Sequence, residues 1–343
     1  MNSQSPEAIL PNPNPVTDIK LNQNKSSLLW KMLQILIGLV AFVFVLTRID
    51  QKELLKVIAQ VNYFILLGAV LNTLFMTYLM GWRWQLLIKV KYKVSSLTLF
   101  GQYLTAQFFN LFTPGAVGGD LARLLRVGKI TGDSSFVFTS IVVERLVSLV
   151  GLLLSSLVGL YLGRDYLNNP NNYYFVVGLL IISIFLCLLL FSKIAMKLFL
   201  NLVIRFELLL KRKLISKTIE KIGNHLAIFS QKPLLLLSII LTTFLVRTTW
   251  TISCWLVAQA LGLNIPLFVL MALFAVVDLA RMLPISPPNG IGVREYLLVL
   301  LLAPLGISNT QAALFSFLAY SLLMVNGLIG GLVYTSQAML EKE

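Results

Sequence analysis

Long apolar runs leave this chain few ways to fold. They sit at about 29–47, 61–80, 136–160, 174–192, 234–260 and 310–337. As helices at about 1.5 Å per residue they reach roughly 28–42 Å, enough to cross a hydrocarbon core of roughly 30 Å. Lipid offers backbone groups no partner, so such runs must satisfy their own hydrogen bonds as helices. Composition agrees: 57% of the 343 residues are hydrophobic and only 12% are charged. A soluble domain carries about 25% charged residues. This excludes a water-soluble enzyme, a disordered protein and a disulfide scaffold, and the expectation is an all-α polytopic membrane protein. Residues 1–27, with Pro11, Pro13 and Pro15, read as a disordered polar tail. Residues 28–340 read as one membrane domain, and six spans with their loops leave no room for a soluble catalytic domain. The run at 29–47 is followed by Thr47-Arg48-Ile49, without a small-residue cleavage site, and reads as an anchor.

The rare residues narrow the chemistry. His225 is the only histidine, and Cys187 and Cys254 are the only cysteines, both within apolar runs. Structural zinc needs four N/S ligands, so no metal site is expected. No nucleophile elbow, phosphate-binding loop or dinucleotide fingerprint is present. The expectation is therefore no cofactor and no catalytic residue.

Two apolar stretches, 97–128 and 267–303, are interrupted. The first contains Thr113-Pro114-Gly115-Ala116-Val117-Gly118-Gly119 and the second Pro284-Ile285-Ser286-Pro287-Pro288-Asn289-Gly290-Ile291-Gly292. Proline lacks an N–H and glycine lacks a Cβ, so Pro114, Gly118, Gly119, Pro288, Gly290 and Gly292 mark breaks. The flanks are short for a span and suit half-membrane helices, so both stretches read as re-entrant helical hairpins. With the N-terminus inside and both hairpins re-entrant, twenty Lys/Arg fall in cytoplasmic segments and four in outer loops. This positive-inside bias predicts a multi-pass protein of the cytoplasmic membrane with both termini cytoplasmic. If the hairpins crossed instead, residues 121–135 and the basic 191–232 loop would fall outside. The unit span, hairpin, span then occurs twice, at about 61–160 and 234–337, with hairpins entering from opposite faces. Such inverted repeats are an architecture of secondary transporters.

Ionised groups at membrane depth are costly, about 2.5–3.5 kcal/mol on insertion scales, and are functional candidates by default. Arg247 lies mid-span and reads either as an ion-pair partner of Asp278 or Glu295, or as a guanidinium fork for an anionic lipid head group. Asp278 and Arg281 stand at i, i+3 and suit a local salt bridge. Gly118-Gly119 precede Asp120-Leu121-Ala122-Arg123. A helix starting there presents free N–H groups that a phosphate or the Asp120 carboxylate can take. Glu144 and Arg145 are adjacent and cannot face each other on a helix, so at least one needs a partner elsewhere, with Asp120 or Arg123 at hand. Arg294-Glu295 repeats that adjacency. Asn110 and Asn289 flank the breaks and suit bonding to freed carbonyls.

Residues 191–232 carry nine Lys/Arg among many apolar residues and suit amphipathic helices on an anionic inner leaflet. Positive-inside topology explains this charge better than nucleic-acid binding. Trp82-Arg83-Trp84 reads as an interfacial aromatic anchor.

Taken in order, three motifs carry a resemblance. Phe109-Asn110-Leu111-Phe112-Thr113-Pro114 with Gly118-Gly119-Asp120-Leu121-Ala122-Arg123 comes first. Glu144-Arg145 follows, then Pro287-Pro288-Asn289-Gly290-Ile291-Gly292-Val293-Arg294-Glu295. Together they resemble the membrane domain of lysylphosphatidylglycerol synthases, a domain also found alone in flippase-like proteins, over about residues 30–337. The resemblance implies a role in moving or handling lipids. Without a soluble aminoacyl-transferase domain, lysyl transfer is not expected. The leading expectation is a flippase-like transporter of a polar-headed, anionic or polyprenyl-linked lipid. Arg123, Arg247, Arg281 and Arg294 would contact phosphate, with Asp120, Glu144, Asp278 and Glu295 balancing them. The alternatives are a membrane-embedded transferase acting on a lipid phosphate, or a membrane partner of a separately encoded glycosyltransferase or lipid synthase.

Overall fold

The computed structural model describes residues 52, 56, 57, 59–113, 117–163, 178, 181, 216–282 and 290–340. The tail, the apolar run at 29–47, all but residues 178 and 181 of the run at 174–192, Pro114, Pro288 and Asn289 lie outside the described residues. The described residues form nine α-helices, one 3₁₀ turn and no strand. They are α1 (Tyr63–Ile88), α2 (Ser96–Asn110), α3 (Val117–Thr131), α4 (Ser134–Leu162), α5 (Ser216–Ser230), α6 (Pro233–Ala260), α7 (Leu267–Met282), α8 (Val293–Leu302) and α9 (Asn309–Leu340). Four of these, α1, α4, α6 and α9, are long and apolar enough to cross a membrane. The protein is an all-α polytopic membrane protein.

Local chemistry sets the helix starts. Asn62 Oδ1 accepts from the N–H groups of Phe64 and Ile65 ahead of α1. Ser95 Oγ does the same for Thr98, and Asp133 Oδ1 for Phe136. These caps satisfy donors that the first turn cannot bond internally. The interrupted stretches become paired short helices, α2 with α3 and α7 with α8. At 15, 15, 16 and 10 residues they reach roughly 15–24 Å, short of the roughly 30 Å core. At the second break Gly290 and Gly292 hold φ of +70° and +87°, which L side chains rarely adopt.

The two halves run in opposite senses. The Asn62 N–H at the start of α1 donates to the Ala260 carbonyl at the end of α6, at 3.0 Å. Further along, Asn72 Nδ2 donates to the Thr249 carbonyl and to Ser253 Oγ, both at 2.8 Å. Arg83 Nη1 then donates to Thr243 Oγ1 at 3.1 Å. As one number rises the other falls, so α1 and α6 are antiparallel. Around this pair the hairpins are exchanged: α2 packs on α9 of the other half, and α7 packs on α4.

Both exchanged contacts need a glycine. A Cβ on Gly330 of α9 would overlap the Leu104 carbonyl of α2. A Cβ on Gly159 of α4 would lie 2.6 Å from the Ala272 nitrogen of α7. Lipid supplies no hydrophobic drive between helices, so close backbone approach is a main source of their cohesion.

Outside the spans, α5 is amphipathic as the sequence suggests, but its apolar face is occupied. Leu226 and Phe229 are buried against Phe136 and Ile239, and Phe229 stacks on Phe136. This face therefore meets protein rather than a leaflet. The same corner holds Asp133, whose Oδ2 accepts from Lys91 Nζ at 2.7 Å and Tyr92 OH at 2.9 Å. Partial burial alone would push the Asp133 carboxyl up. The Lys91, Phe136 N–H and Tyr92 hydrogen bonds outweigh it and hold the pKa at about 2. Burial pushes the nearby His225 imidazole down, against the pull of Asp133.

Two outcomes follow from this packing. Gly330→Ala and Gly159→Ala each lower the thermal midpoint in detergent, as overpacking costs roughly 1–3 kcal/mol. Gly68→Ala does not, because a Cβ there meets nothing within 4 Å. The second concerns acid. A depressed carboxyl stabilises the fold above its unfolded pKa and loses that effect as pH falls through its folded value. Asp133→Asn is thus destabilising at pH 7, and its deficit against the unsubstituted protein shrinks between about pH 4 and pH 2.

Candidate functional site: a charged cavity between the hairpins

The first hairpin delivers Asp120 and Arg123 to one face of α3, one turn apart. On α4, Glu144, Ser148 and Leu152 recur every four residues and line a single stripe, with Arg145 beside them. Glu144 is the hub. Its Oε1 accepts from Arg83 Nη2 of α1 at 2.5 Å and from Tyr103 OH of α2. Its Oε2 accepts from Arg123 Nη1 at 2.9 Å. Arg123 also donates to Asp120 Oδ1 at 2.5 Å, and Arg145 donates to Asp120 Oδ2. Three cations thus share two anions in one continuous network. The Arg123 guanidinium lies over the rings of Trp84 and Tyr103, 4.8 and 4.3 Å from their centres, a cation–π arrangement that fixes its plane.

The second half contributes a simpler pair, Arg247 Nη1 of α6 on Asp278 Oδ2 of α7. Both systems border one cavity of about 290 Å³. Asn110, Leu111 and Asp120 reach it from the first hairpin, and Asp278 and Gly290 from the second, so the hairpins meet here. Among the described lining residues, the arginines Arg83, Arg123, Arg145 and Arg247 outnumber the carboxylates Asp120, Glu144 and Asp278. The arginines differ in reach. The side chains of Arg83 and Arg123 are 7% and 5% exposed, whereas those of Arg145 and Arg247 are 37% and 26% exposed.

Several residues behave differently from their sequence reading. Two N–H groups that open α3, those of Gly118 and Gly119, are neither left for a phosphate nor capped by Asp120. Gly118 N–H donates to Thr113 Oγ1 at 3.1 Å and Gly119 N–H to Asn110 Oδ1 at 2.8 Å. Asn110 therefore accepts from a freed N–H rather than bonding a carbonyl, and Asp120 is released to bind arginine. Arg294 and Glu295 lie outside the cavity lining. Adjacent on α8, they still pair at 2.5 Å, because Glu295 turns back to accept the Gly292 N–H and brings its carboxylate beside Arg294. The Arg294 guanidinium is buried 4.0 Å from the centre of the Tyr320 ring. Arg247 takes Asp278 and not Glu295. The side chain of Arg281 lies outside the described residues.

Arg83 and Trp84 correct the reading of an interfacial anchor. Trp84 is fully buried and donates from Nε1 to Ser140 Oγ at 3.0 Å. Helix α1 runs on to Ile88, which carries Arg83 into the core. The signal was available: Trp84-Gln85-Leu86-Leu87-Ile88 continues the apolar pattern beyond the charge.

The sequence family described as the lysylphosphatidylglycerol synthase TM region matches residues 31–330. The chain belongs to this family. No curated protein matches the sequence. Membership in a family of membrane domains named for a lipid synthase supports a role connected with membrane lipids. The match takes in every cavity-lining residue, so the charged network lies within the family's own domain.

The hub dictates an order of sensitivity. Glu144→Gln leaves Arg83 and Arg123 buried without their shared anion, and breaking a buried pair costs roughly 3–5 kcal/mol. Asp120→Asn is milder, because Asp120 is partly exposed and Arg123 keeps Glu144. Thermal unfolding in detergent is expected to rank Glu144→Gln well below Asp120→Asn.

Proposed function

We propose that the cavity is the head-group passage of a lipid flippase, which carries a polar-headed, anionic or polyprenyl-linked lipid across the cytoplasmic membrane. The supporting observation is the arginine excess where the two hairpins meet. A phosphate entering this space finds guanidinium groups already oriented and partly desolvated, where charge-assisted bidentate contacts are strongest. Arg247 commits only Nη1 to Asp278 and makes no other side-chain hydrogen bond among the described residues. Its remaining donors are open to a phosphate. Arg123, Glu144 and Arg83 hold the wall in place.

The antiparallel halves supply a route for alternating access. Two equivalent hairpins tipped toward one cavity let either half rock open while the other stays closed. The orientation in this proposal puts both termini in the cytoplasm, where the Lys/Arg-rich segments attract anionic lipid. Transport uses no covalent step, so the lipid leaves chemically unchanged.

Vesicles test this directly. Purified protein is reconstituted with fluorescent phosphatidylglycerol, and dithionite quenches the label on the outer leaflet. The protein is expected to expose the inner-leaflet label rapidly. Arg247→Gln with Asp278→Asn removes both members of the pair without stranding a charge and slows exposure at least tenfold. Exposure at the unsubstituted rate in that variant would remove the site. No exposure by the unsubstituted protein removes the flippase reading, and a new lipid mass in the same vesicles favours the transferase alternative.

A further inference from the structure

Three polar atoms of cavity-lining residues have no partner among the described residues: Arg83 Nε, a donor on the enclosed wall, and two oxygens, Gln107 Oε1 and Ser148 Oγ. Gln107 of α2 lines the cavity, and its Oε1 is buried without a hydrogen bond. Ser148 of α4 also lines it, one turn beyond Arg145, and its Oγ is likewise buried and without a partner. Buried polar atoms are rarely left unpaired, and an unpaired one calls for an explanation such as a ligand.

The orientation of Gln107 follows from its neighbours. Thr77 Oγ1 donates its single proton to the Thr73 carbonyl at 2.9 Å. It can therefore only accept from Gln107, at 3.0 Å, and from Asn326 Nδ2, at 3.2 Å. The amide nitrogen of Gln107 must face Thr77, which leaves the carbonyl oxygen as an unused acceptor. An acceptor seeks a donor, and a hydroxyl supplies one. Ser148 Oγ can both give and take such a bond.

Charge selects further. All three lining carboxylates are already engaged: Asp120 by Arg123 and Arg145, Glu144 by Arg83 and Arg123, and Asp278 by Arg247. An ammonium entering the cavity would meet guanidinium groups and no available carboxylate. A phosphodiester would meet the open donors of Arg247 and, beside them, the partly exposed Arg145, which it would share with Asp120. Volume adds a limit. About 290 Å³ lies at the lower edge of the roughly 300–1,000 Å³ of small-molecule sites, enough for a head group but not for acyl chains as well.

Building on the flippase reading, we infer that the cavity selects lipids whose head group is a phosphodiester bearing an uncharged, hydroxylated substituent, and that it rejects head groups bearing an ammonium. Arg145 and Arg247 take the phosphate, and Gln107 Oε1 with Ser148 Oγ take the hydroxyls.

Three labelled lipids in the same vesicles separate the elements of this recognition. Phosphatidylglycerol carries phosphate and hydroxyls, phosphatidylmethanol carries the phosphodiester alone, and phosphatidylethanolamine adds an ammonium. The expected order of transfer is phosphatidylglycerol, then phosphatidylmethanol, then phosphatidylethanolamine, with at least tenfold between the first and last. Gln107→Leu with Ser148→Ala is expected to erase the advantage of phosphatidylglycerol over phosphatidylmethanol while keeping both above phosphatidylethanolamine. Equal transfer of all three lipids overturns the selection and leaves the flippase reading standing. If none moves, the flippase reading fails, and lipid retention by the detergent-purified protein, read by native mass spectrometry, decides the selection alone. Preferred retention of phosphatidylglycerol over phosphatidylethanolamine upholds it, and equal retention overturns it. Glycerol phosphate without acyl chains is expected to be retained at least tenfold less than phosphatidylglycerol. Equal retention assigns the site to a soluble phosphate ester and overturns the lipid form.

Discussion

A single buried carboxylate ties the first half of this protein together. Glu144 on α4 accepts from Arg83 on α1, Tyr103 on α2 and Arg123 on α3. Each of these donors arrives from a different helix, and Glu144 is the one anion that Arg83 and Arg123 share. Burying one arginine in a bilayer is costly, and burying two beside each other is worse. With Glu144 between them, the same charges become cross-links that fix the spacing of four helices. The cavity wall inherits that rigidity, because the network that holds the helices also forms its charged lining. The aromatic rings of Trp84 and Tyr103 complete the frame by holding the Arg123 plane.

The exchange of hairpins between halves has a different physical basis. It rests on the absence of side chains, at Gly330 against Leu104 and at Gly159 against Ala272. In water an apolar helix pair can be held by burial alone. In lipid that drive is lost, and backbones must approach closely to gain dispersion contacts. The hairpin arms are also too short to reach across a core of roughly 30 Å, and the first arm of each, α2 or α7, takes much of its anchorage from the opposite half. Any motion of one half relative to the other therefore carries a hairpin with it.

Much of this could be read from the sequence because the signals are local. Proline and glycine clusters marked both breaks, and their apolar flanks marked half-length helices. Glu144 and Arg145, adjacent on a helix, required partners elsewhere, and Asp120 and Arg123 are the partners they find. Arg247 meeting Asp278 was one of two open pairings. What was missed depends on tertiary context. Arg83 looked like the end of a span because Gly81-Trp82-Arg83 interrupts the apolar run, yet Glu144, sixty-one positions away, gives that charge a place inside. The caps of α3 come from Asn110 and Thr113, before the break, whereas Asp120 stood closer in sequence to the groups it was expected to cap. Arg294 resembled a cavity residue until α9 brought Tyr320 over it.

The two halves of the charged system differ in a way that suits the proposed transport. On one side three cations share two anions, and two of those arginines are almost wholly enclosed. Rearranging that side would strand buried charge, so it is suited to stay fixed while a ligand passes. On the other side a single pair, Arg247 with Asp278, joins α6 to α7 and is reachable from the cavity. A phosphate can share Arg247 with Asp278 without exposing any buried charge elsewhere. Binding at that pair would act on the contact between a span and the first arm of the second hairpin, and α7 also packs on α4 of the opposite half. In the proposed flippase, a head group held there would touch α7, which belongs to both the second hairpin and an exchanged interface. Under that proposal, occupancy of the cavity would be coupled to the relative position of the two halves, with Glu144 keeping the opposite wall in register.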